Sequence, residues 1–350
     1  MIPRSQLAIT VEDLTKRFGR VTAVDHLSFR VKLGQLFALL GPNGSGKTTT
    51  IRCLTTLERP DSGRLWVMGN RLGSQDDLVR RGIGVVFQES LLDSKLTVRE
   101  NLNSRGAYYG LSRIQRAGRI EALTSQVELG DFLDQPYGRL SGGQRRRVDI
   151  ARAIIHQPRA LFLDEPTAGL DPVSRDQVWK AINQLRLSQA TGVVLTTHYL
   201  AETEQADQVL LLGHGRAVAE GTPQALREKF STSVLTLTPA LDQDDAVRRA
   251  LSPWGGGDQV GGALRVEVPS AATARQLLTD LGPAVTDFEF RHGTMDDVFL
   301  ALTEEQAAKQ AGDGRTASDR KNRPTRNGGP DGRPANDLVL CQTLFDNLSA

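Results

Sequence analysis

The chain has 350 residues, of which 39% are hydrophobic and 24% are charged, a balance typical of a globular protein with a buried core. Its formal net charge of +2 excludes a global basic field that would attract nucleic acid, so no nucleic acid partner is expected. The two cysteines, Cys53 and Cys341, lie far apart and form no metal motif, which indicates a reducing compartment without a disulfide framework.

Membrane insertion is not expected from the sequence. No apolar run approaches the ~18 residues that cross a bilayer, and the N-terminus lacks the apolar core of a secretory signal. We therefore expect a cytoplasmic chain. If the chain acts at a membrane, a separate protein has to bring it there.

Short apolar strands alternate with helical patterns in the first 230 residues. The segments LAITVEDLTKRF and HLSFRVKLG predict a pair of strands, and QLFALLG predicts a buried strand that runs into a glycine loop. The apolar runs in ALFLDE and GVVLTT predict two more buried strands. Because parallel strands need helical crossovers between them, this alternation predicts an α/β fold with a mainly parallel sheet.

A helical insertion is predicted at about residues 90–157. The stretch from about Ser90 to Leu140 is polar and arginine-rich, with helical spacing and no clear strand, and a further helical pattern follows it. In that second pattern, Arg145, Arg146 and Arg147 would fan around the outer face of the helix. We interpret them as a solvated surface rather than as a patch for nucleic acid or a membrane.

A smaller module is predicted after residue 230. The segments SVLTLTP, ALRVEVP and VTDFEF predict strands, AATARQLLTDL predicts a helix, and a capping box from Thr294 to Asp297 opens a last helix. We assign residues 1–230 to one domain and residues 231–303 to a small α+β module. Residues 309–337 contain no large aliphatic or aromatic residue, so we expect residues 304–350 to form a disordered tail.

The segment GPNGSGKT, from Gly41 to Thr48, follows a predicted strand and opens a predicted helix, as a phosphate-binding loop does. Glycines let the backbone N–H groups point inward around the β- and γ-phosphates, and Lys47 adds a positive charge. The Thr48 hydroxyl fits an octahedral Mg²⁺ shell. The predicted binding residues are Gly41, Pro42, Asn43, Gly44, Ser45, Gly46, Lys47, Thr48 and Thr49.

A second motif, ALFLDEP, ends a predicted buried strand with two carboxylates. In α/β sheets, ligands bind at the carboxyl ends of the strands, where Asp164 and Glu165 are predicted to lie. We expect Asp164 to hold Mg²⁺ through water, and Glu165, on the other face, to polarise the attacking water. The alternative is a buried strand that ends in two solvated carboxylates, which the glycine loop disfavours.

The sequence resembles the ATP-binding subunits of ABC transporters over about residues 5–230, since seven motifs of that family occur in order. LSGGQ is the most specific of them, because glycine loops and acidic strand ends also occur in other ATPases and in GTPases. The motifs are the adenine-stacking aromatic Phe18, the Walker A loop at Gly41–Thr48, the Q-loop glutamine Gln88, the signature at Leu140–Gln144, Walker B at Ala160–Pro166, the D-loop at Ala168–Asp171 and the switch histidine His198.

The resemblance implies a P-loop NTPase fold, with a mainly parallel sheet core, an N-terminal antiparallel β subdomain and the helical insertion. It also implies that the chain hydrolyses ATP with the help of Mg²⁺. The residues implied in catalysis are Glu165 as general base and His198 and Lys47 at the phosphates, and those implied in holding Mg²⁺ are Thr48, Gln88 and Asp164.

Two partners are implied by the same resemblance. Two chains meet head to tail as a homodimer, so that four signature residues of one chain face the γ-phosphate bound by the other. A separately encoded integral membrane permease carries the substrate, and Gln88 acts as a hinge that transmits closure to it. We therefore expect a peripheral protein on the inner face of the cell membrane. The four residues that act in trans are Ser141, Gly142, Gly143 and Gln144.

Within the family, RRRVDIA after the signature and MDDVFLALT near the C-terminus resemble export ATPases of the daunorubicin/doxorubicin-resistance type. Nodulation-factor exporters share much of both. Phe18 stands where tyrosine is common, and His198 stands where some drug-resistance members carry glutamine. We expect export of a drug-like or amphiphilic substrate. The alternatives are a non-transport ABC ATPase that acts on ribosomes or DNA, and a nucleotide-gated module without useful hydrolysis.

Overall fold

A computed structural model of the protein describes residues 6–302, apart from the side chains of residues 187–189. The described chain divides into two compact units between Glu220 and Gly221. The elements of the N-terminal unit are β1 (Leu7–Phe18), β2 (Val21–Lys32), β3 (Leu36–Leu40), α1 (Lys47–Leu54), β4 (Ser62–Val67), β5 (Asn70–Arg71), α2 (Asp76–Gly82), β6 (Ile83–Val86), α3 (Val98–Tyr108), α4 (Arg113–Gln126), α5 (Gly142–Ile154), β7 (Ala160–Asp164), α6 (Pro172–Gln189), β8 (Gly192–Thr197), α7 (Leu200–Thr203), β9 (Gln208–Gly213) and β10 (Arg216–Gly221). Those of the C-terminal unit are α8 (Pro223–Phe230), β11 (Ser233–Pro239), α9 (Asp244–Leu251), β12 (Asp258–Val260), β13 (Ala263–Val268), α10 (Ala271–Leu281), β14 (Val285–Arg291) and α11, which begins at Met295.

A six-stranded sheet in the order β10-β9-β3-β8-β7-β6 forms the centre of the N-terminal unit. Strands β9, β3, β8, β7 and β6 run parallel to one another. Every residue of β3, β7 and β8 is buried, as expected for parallel strands that are covered on both faces. The predicted α/β fold with a mainly parallel sheet is confirmed.

A second sheet, in the order β2-β1-β4-β5, packs against the first. Strands β1 and β2 are antiparallel, with Leu7 opposite Lys32 and Phe18 opposite Val21, which confirms the predicted strand pair. The Phe29 ring of β2 stacks on the Phe37 ring of β3, with 5.1 Å between the ring centroids. The main hydrophobic core of this unit therefore lies between the two sheets, where α1 also contributes buried side chains.

Three helices follow one another between β6 and β7, and each begins with a capping box. In each box a hydroxyl accepts a hydrogen bond from the third helical N–H group, and the third side chain accepts one from the N–H group of the cap. These boxes satisfy N–H groups that a helix start otherwise leaves unpaired. The pairs are Thr97 with Glu100 in α3, Ser112 with Gln115 in α4, and Ser141 with Gln144 in α5.

The interpretation of Arg145, Arg146 and Arg147 as a solvated surface is wrong for two of the three. Arg146 and Arg147 are only 7% and 8% exposed, whereas Arg145 is exposed. Helix α5 is enclosed by its neighbours, because all of residues 146–154 are buried. Beyond its first turn, therefore, the helix has no solvated face, and the arginines there have to find partners inside the protein.

The C-terminal unit is a four-stranded antiparallel sheet in the order β12-β13-β11-β14, and its core includes side chains of α9 and α10. This arrangement confirms the predicted small α+β module. The predicted capping box is also present, because Asp297 Oδ2 accepts from the N–H of Thr294 at 2.7 Å and Thr294 Oγ1 accepts from the N–H of Asp297 at 3.3 Å.

The domain boundaries inferred from sequence stay predictions. The boundary at residue 230 would group α8 with the N-terminal unit, whereas the structural division at Glu220 groups it with the C-terminal one. The predicted tail, residues 304–350, lies outside the described residues. Among the helices of residues 6–302, none has both the length and the apolar character that crossing a bilayer requires.

Candidate active site

The glycine loop lies between the end of β3 and the start of α1, as the sequence predicts. Gly44 and Gly46 have φ angles of 78° and 99°, in the left-handed region that favours glycine. A Cβ atom at Gly46 would lie 2.4 Å from the carbonyl oxygen of Ala23, and one at Gly41 would lie 2.4 Å from that of Leu212. Gly46 caps α1 without a side chain, so the first N–H groups of the helix suit an anion.

Lys47, the first residue of α1, directs its ammonium group into this loop. Its Nζ donates hydrogen bonds to the carbonyl oxygens of Gly41 at 2.7 Å and Pro42 at 3.0 Å. Burial lowers the pKa of the Lys47 ammonium, and the nearby carboxylates of Glu165 and Asp164 oppose that decrease. The buried Ser45 Oγ has no hydrogen-bond partner within the described residues. A phosphate in the loop would therefore find an oriented cation and an unpaired hydroxyl.

Asp164, at the carboxyl end of β7, is held by hydroxyl groups from two other elements. Its Oδ1 accepts a hydrogen bond from Thr196 Oγ1 of β8 at 2.6 Å and from Thr48 Oγ1 of α1 at 3.2 Å. A carboxylate beside a hydroxyl provides hard oxygen ligands, which fit Mg²⁺ when water and phosphate complete its shell. The structure therefore joins two of the three predicted metal ligands, Thr48 and Asp164.

Glu165 follows in a conformation that is uncommon for a residue with a side chain. Its φ angle is 47°, and a left-handed conformation of this kind costs roughly 1–3 kcal/mol. The N–H group of Glu165 donates to Thr196 Oγ1 at 3.0 Å, which stabilises the turn. One carboxylate oxygen, Oε1, lies 3.1 Å from Nδ1 of His198. The strained turn thus places the carboxylate beside the imidazole.

A buried glutamate connects the turn after β7 with the segment after β8. Glu202 accepts hydrogen bonds from the hydroxyls of Thr167 and Thr197, the second at 2.7 Å. The Thr197 hydroxyl in turn accepts from the N–H of Tyr199 at 2.9 Å. These bonds hold the backbone on both sides of His198 against the turn, and so they support the contact between His198 and the carboxylate.

The signature residues begin α5, where two of them form its capping box. Ser141 Oγ accepts from the N–H of Gln144 at 3.3 Å, and Gln144 Oε1 accepts from the N–H of Ser141 at 2.9 Å. A Cβ atom at Gly143 would lie 2.3 Å from Ser174 Oγ, so glycine lets α5 and α6 approach here, whereas Gly142 is exposed. Within the described residues, no hydrogen bond joins the signature to the glycine loop of its own chain.

The structure gives less support to the predicted roles of Phe18 and Gln88. Phe18 ends β1, is 47% exposed, and has the ammonium of Lys16 5.0 Å from its ring centroid. Gln88 is exposed two residues beyond the end of β6. In the described part of the chain, no hydrogen bond joins Gln88 to Thr48 or Asp164. The assignments of Phe18 to adenine and of Gln88 to Mg²⁺ therefore stay predictions.

Two residues whose place in the site was not evident from the sequence hold this site together. Thr196 lies opposite Asp164 in the sheet, and its hydroxyl bonds both acidic residues. The polar ending of the apolar run GVVLTT was the available signal for it. Arg146 donates to the carbonyl oxygens of Asp164 at 2.8 Å and Glu165 at 2.7 Å. No local pattern pointed to Arg146, because its acceptors are backbone groups.

Known proteins are similar to this chain over most of its length. The family described as ABC transporter matches residues 24–168. The chain is 40% identical over 305 residues to the daunorubicin/doxorubicin resistance ATP-binding protein DrrA of Streptomyces peucetius, a match that covers 85% of this chain and 92% of that protein. The chain belongs to the ATP-binding proteins of ABC transporters. Another relative is the Nod factor export ATP-binding protein I of Rhizobium sp. (strain N33), 42% identical over 314 residues, 87% of this chain and 100% of that protein.

Solved structures of ATP-binding cassettes have the same fold. A structure described as the ATP binding subunit of an ABC transporter has a TM-score of 0.58 and 30% identity, and the match covers 64% of this chain and 93% of that chain. A dimeric cassette in a post-hydrolysis state, bound to ADP and Pi, has a TM-score of 0.56 and 27% identity over 61% of this chain and 98% of that chain. This family member is therefore a P-loop NTPase that binds and hydrolyses ATP.

Replacement Glu165→Gln should abolish steady-state ATP hydrolysis and leave ATP binding intact, because the amide keeps the shape of the side chain but is not a base. We expect phosphate release to fall at least ~100-fold, and the Kd for ATP to change less than about twofold. Glu121→Gln, on the exposed side of α4, controls for the loss of one negative charge. Normal turnover by the Glu165→Gln protein would contradict the assignment of Glu165.

Proposed function

We propose that this ATPase powers the export of a drug-like or amphiphilic substrate through a separate integral membrane permease, at the inner face of the cell membrane. The observation that carries the proposal is the similarity, over 85% and 87% of the chain, to a daunorubicin/doxorubicin resistance protein and a Nod factor export protein. Both matches are longer than the N-terminal unit and so include part of the C-terminal unit. The similarity therefore extends beyond the cassette that all ABC ATPases share.

A non-transport role on ribosomes or DNA has less support. The chain carries one set of nucleotide motifs and no heptad run between them, whereas the resemblance would lead us to expect paired cassettes or a long coiled coil for such roles. A regulatory module without hydrolysis is also disfavoured. The contact between Glu165 and His198 is the arrangement that an attacking water would need.

ATP binding in this proposal uses the loop at residues 41–49 and the positive end of α1. The inward N–H groups and Lys47 bind the β- and γ-phosphates, and the Phe18 ring stacks on adenine. We assign Mg²⁺ to Thr48 and Asp164, whose oxygens already lie 3.2 Å apart, with Gln88 as a third ligand. When bound, Mg²⁺ neutralises charge that develops on the transferred phosphoryl group.

Hydrolysis in this proposal uses Glu165 as the general base. The oxygen of a water molecule attacks the γ-phosphorus, its proton passes to the Glu165 carboxylate, and the bond to the bridging oxygen of ADP breaks. His198 Nδ1, 3.1 Å from Glu165 Oε1, orients the carboxylate, and the family resemblance assigns its ring a contact with the γ-phosphate as well. The strained backbone of Glu165 supports this role, because such strain is concentrated at functional sites.

The signature acts in trans in this proposal. The capping box occupies Ser141 and Gln144, but the N–H groups of Gly142 and Gly143 and the positive end of a 13-residue helix can still bind an anion. ATP then closes a head-to-tail homodimer because it contacts both chains, and hydrolysis removes those contacts. A dimeric cassette among the similar structures supports this arrangement.

Two substitutions at Ser141 separate its capping role from its role in trans. Aspartate caps a helix about as well as serine, so Ser141→Asp should leave the free energy of unfolding unchanged. Ser141→Ala should lower that free energy by about 1 kcal/mol. The added negative charge would repel a γ-phosphate, so Ser141→Asp should lower hydrolysis roughly 100-fold. Thermal melts and phosphate-release assays measure the two effects. Normal hydrolysis by the Ser141→Asp protein would show that Ser141 only caps α5, and would contradict its role in trans.

A mixture of two inactive chains tests whether the signature works across the dimer. Glu165→Gln chains and Ser141→Asp chains should each be inactive alone. A mixed head-to-tail dimer contains one site with both changes and one site with neither, so mixing should restore hydrolysis. If the signature served its own chain, both sites of the mixed dimer would be damaged. Continued inactivity of the mixture, with dimer formation verified by size, would contradict action in trans.

Export itself can be tested in the native host. Introduction of Glu165→Gln should raise the cellular accumulation of a fluorescent anthracycline, because the permease would lose its source of energy. Glu121→Gln is the matched control on the same chain. Unchanged accumulation of this and other amphiphiles, together with a defect in translation or DNA repair, would favour the non-transport alternative instead.

A further inference from the structure

The guanidinium group of Arg146 on α5 binds four backbone carbonyl oxygens. Its Nε donates to the carbonyl of Pro166 at 2.7 Å, and Nη1 donates to that of Phe87 at 2.5 Å. Its Nη2 donates to the carbonyls of Asp164 at 2.8 Å and Glu165 at 2.7 Å. A single side chain thus joins the loop after β6 to the turn after β7.

Arg146 has no ion-pair partner among the described residues, and its acceptors are all main-chain oxygens. Burial lowers the pKa of the Arg146 guanidinium, which nevertheless stays charged because arginine does not lose its proton in proteins. Moving any of the four carbonyls away would leave a buried, charged donor unpaired. The two segments are therefore held in one relative position.

Two more side chains of α5 bond the chain on either side of Gln88, one within β6 and one in the loop after it. Arg152 Nη2 donates to the carbonyl oxygen of Val85 at 2.6 Å. Asp149 Oδ1 accepts from the hydroxyl of Ser90 at 2.6 Å. With the bond from Arg146, residues 85–90 are attached to α5 at three points, which bracket Gln88. The position of this loop therefore depends on α5.

Arg147, the next residue on α5, is equally buried but has different neighbours. Its Nη1 donates to the carbonyl oxygen of Glu128 at 2.8 Å, and its guanidinium lies 5.1 Å from the ring centroid of Phe132. These contacts stay within the helical insertion. The side chain of Arg147 leaves the helix about 100° around its axis from that of Arg146. The two arginines thus share a helix and a degree of burial, but only one of them touches the active site.

We propose that Arg146 is a positioning residue for ATP hydrolysis, which holds the loop that carries Gln88 and the turn that carries Glu165 in register at the γ-phosphate. The proposal rests on the proposed function, from which it takes the roles of Gln88 and Glu165. It adds that the signature helix sets the geometry of the site in its own chain as well as facing the nucleotide of the other chain. Loss of the guanidinium lets the two segments shift independently.

The test compares Arg146→Gln with Arg147→Gln in the full chain. Each change removes one buried guanidinium from α5, so both should lower the Tm. Only Arg146→Gln should reduce kcat for ATP, by roughly 10- to 100-fold, because misplacement of reacting groups acts on the chemical step. The Kd for ATP should stay within about twofold of wild type in both, since neither arginine touches the glycine loop.

Lysine variants decide the question if a glutamine variant does not fold. Arg146→Lys keeps the positive charge but lacks the planar, five-donor group that reaches four carbonyls. It should therefore still lower kcat, by at least about threefold, whereas Arg147→Lys should not. A wild-type kcat for Arg146→Lys, or an equal loss of kcat in Arg147→Lys, would overturn the proposal.

A double-mutant cycle with Gln88→Ala distinguishes positioning from general stability. If Arg146 acts through the Gln88 loop, Gln88→Ala should reduce kcat by a smaller factor in the Arg146→Gln protein than in wild type. Equal factors in both backgrounds, or equal kcat for Arg146→Gln and Arg147→Gln, would overturn the proposal. A normal kcat for Glu165→Gln would instead contradict the role that the proposed function gives to Glu165, so the two failures can be told apart.

Discussion

The register of three parallel strands is the constraint on which the active site depends. Leu40 of β3 lies opposite Thr197 of β8, and Asp164 of β7 lies opposite Thr196. These pairings bring the glycine loop, the acidic turn and His198 to one edge of the sheet, where α/β proteins bind ligands. Because side chains alternate along a strand, a slip of one residue in β8 would turn Thr196 away from Asp164 and displace His198.

The charges at this edge are held in a way that leaves both carboxylates available. The two buried cations bond main-chain oxygens, Lys47 in the glycine loop and Arg146 at the acidic turn. Asp164 bonds hydroxyl groups and Glu165 lies beside His198, so neither acid forms an ion pair with these cations in the described structure. Buried charges need polar partners. Because the cations find theirs in the backbone, the two carboxylates stay available for metal and water.

Sequence reasoning succeeds here where the functional groups are neighbours along the chain. The glycine loop and the Asp164–Glu165 pair can be predicted because strand, turn and helix follow one another locally. The parallel sheet can be predicted because short apolar runs alternate with helical patterns. Arg146 leaves no such signal, since its acceptors are carbonyl groups that any sequence supplies. Helical periodicity also misleads for α5, because residues 146–154 of this helix are all buried and so present no outer face. The left-handed backbone of Glu165 is equally invisible in its residue type.

In the proposed mechanism, one nucleotide is shared by two chains at this edge of the sheet. A structure of the Glu165→Gln protein with ATP and Mg²⁺ tests it most directly. We predict a head-to-tail dimer in which the γ-phosphate lies within ~3 Å of Lys47 Nζ of one chain and of Ser141 Oγ of the partner subunit. A nucleotide contacted by Lys47 and Ser141 of the same chain, or a dimer in which the signature faces no nucleotide, would contradict it.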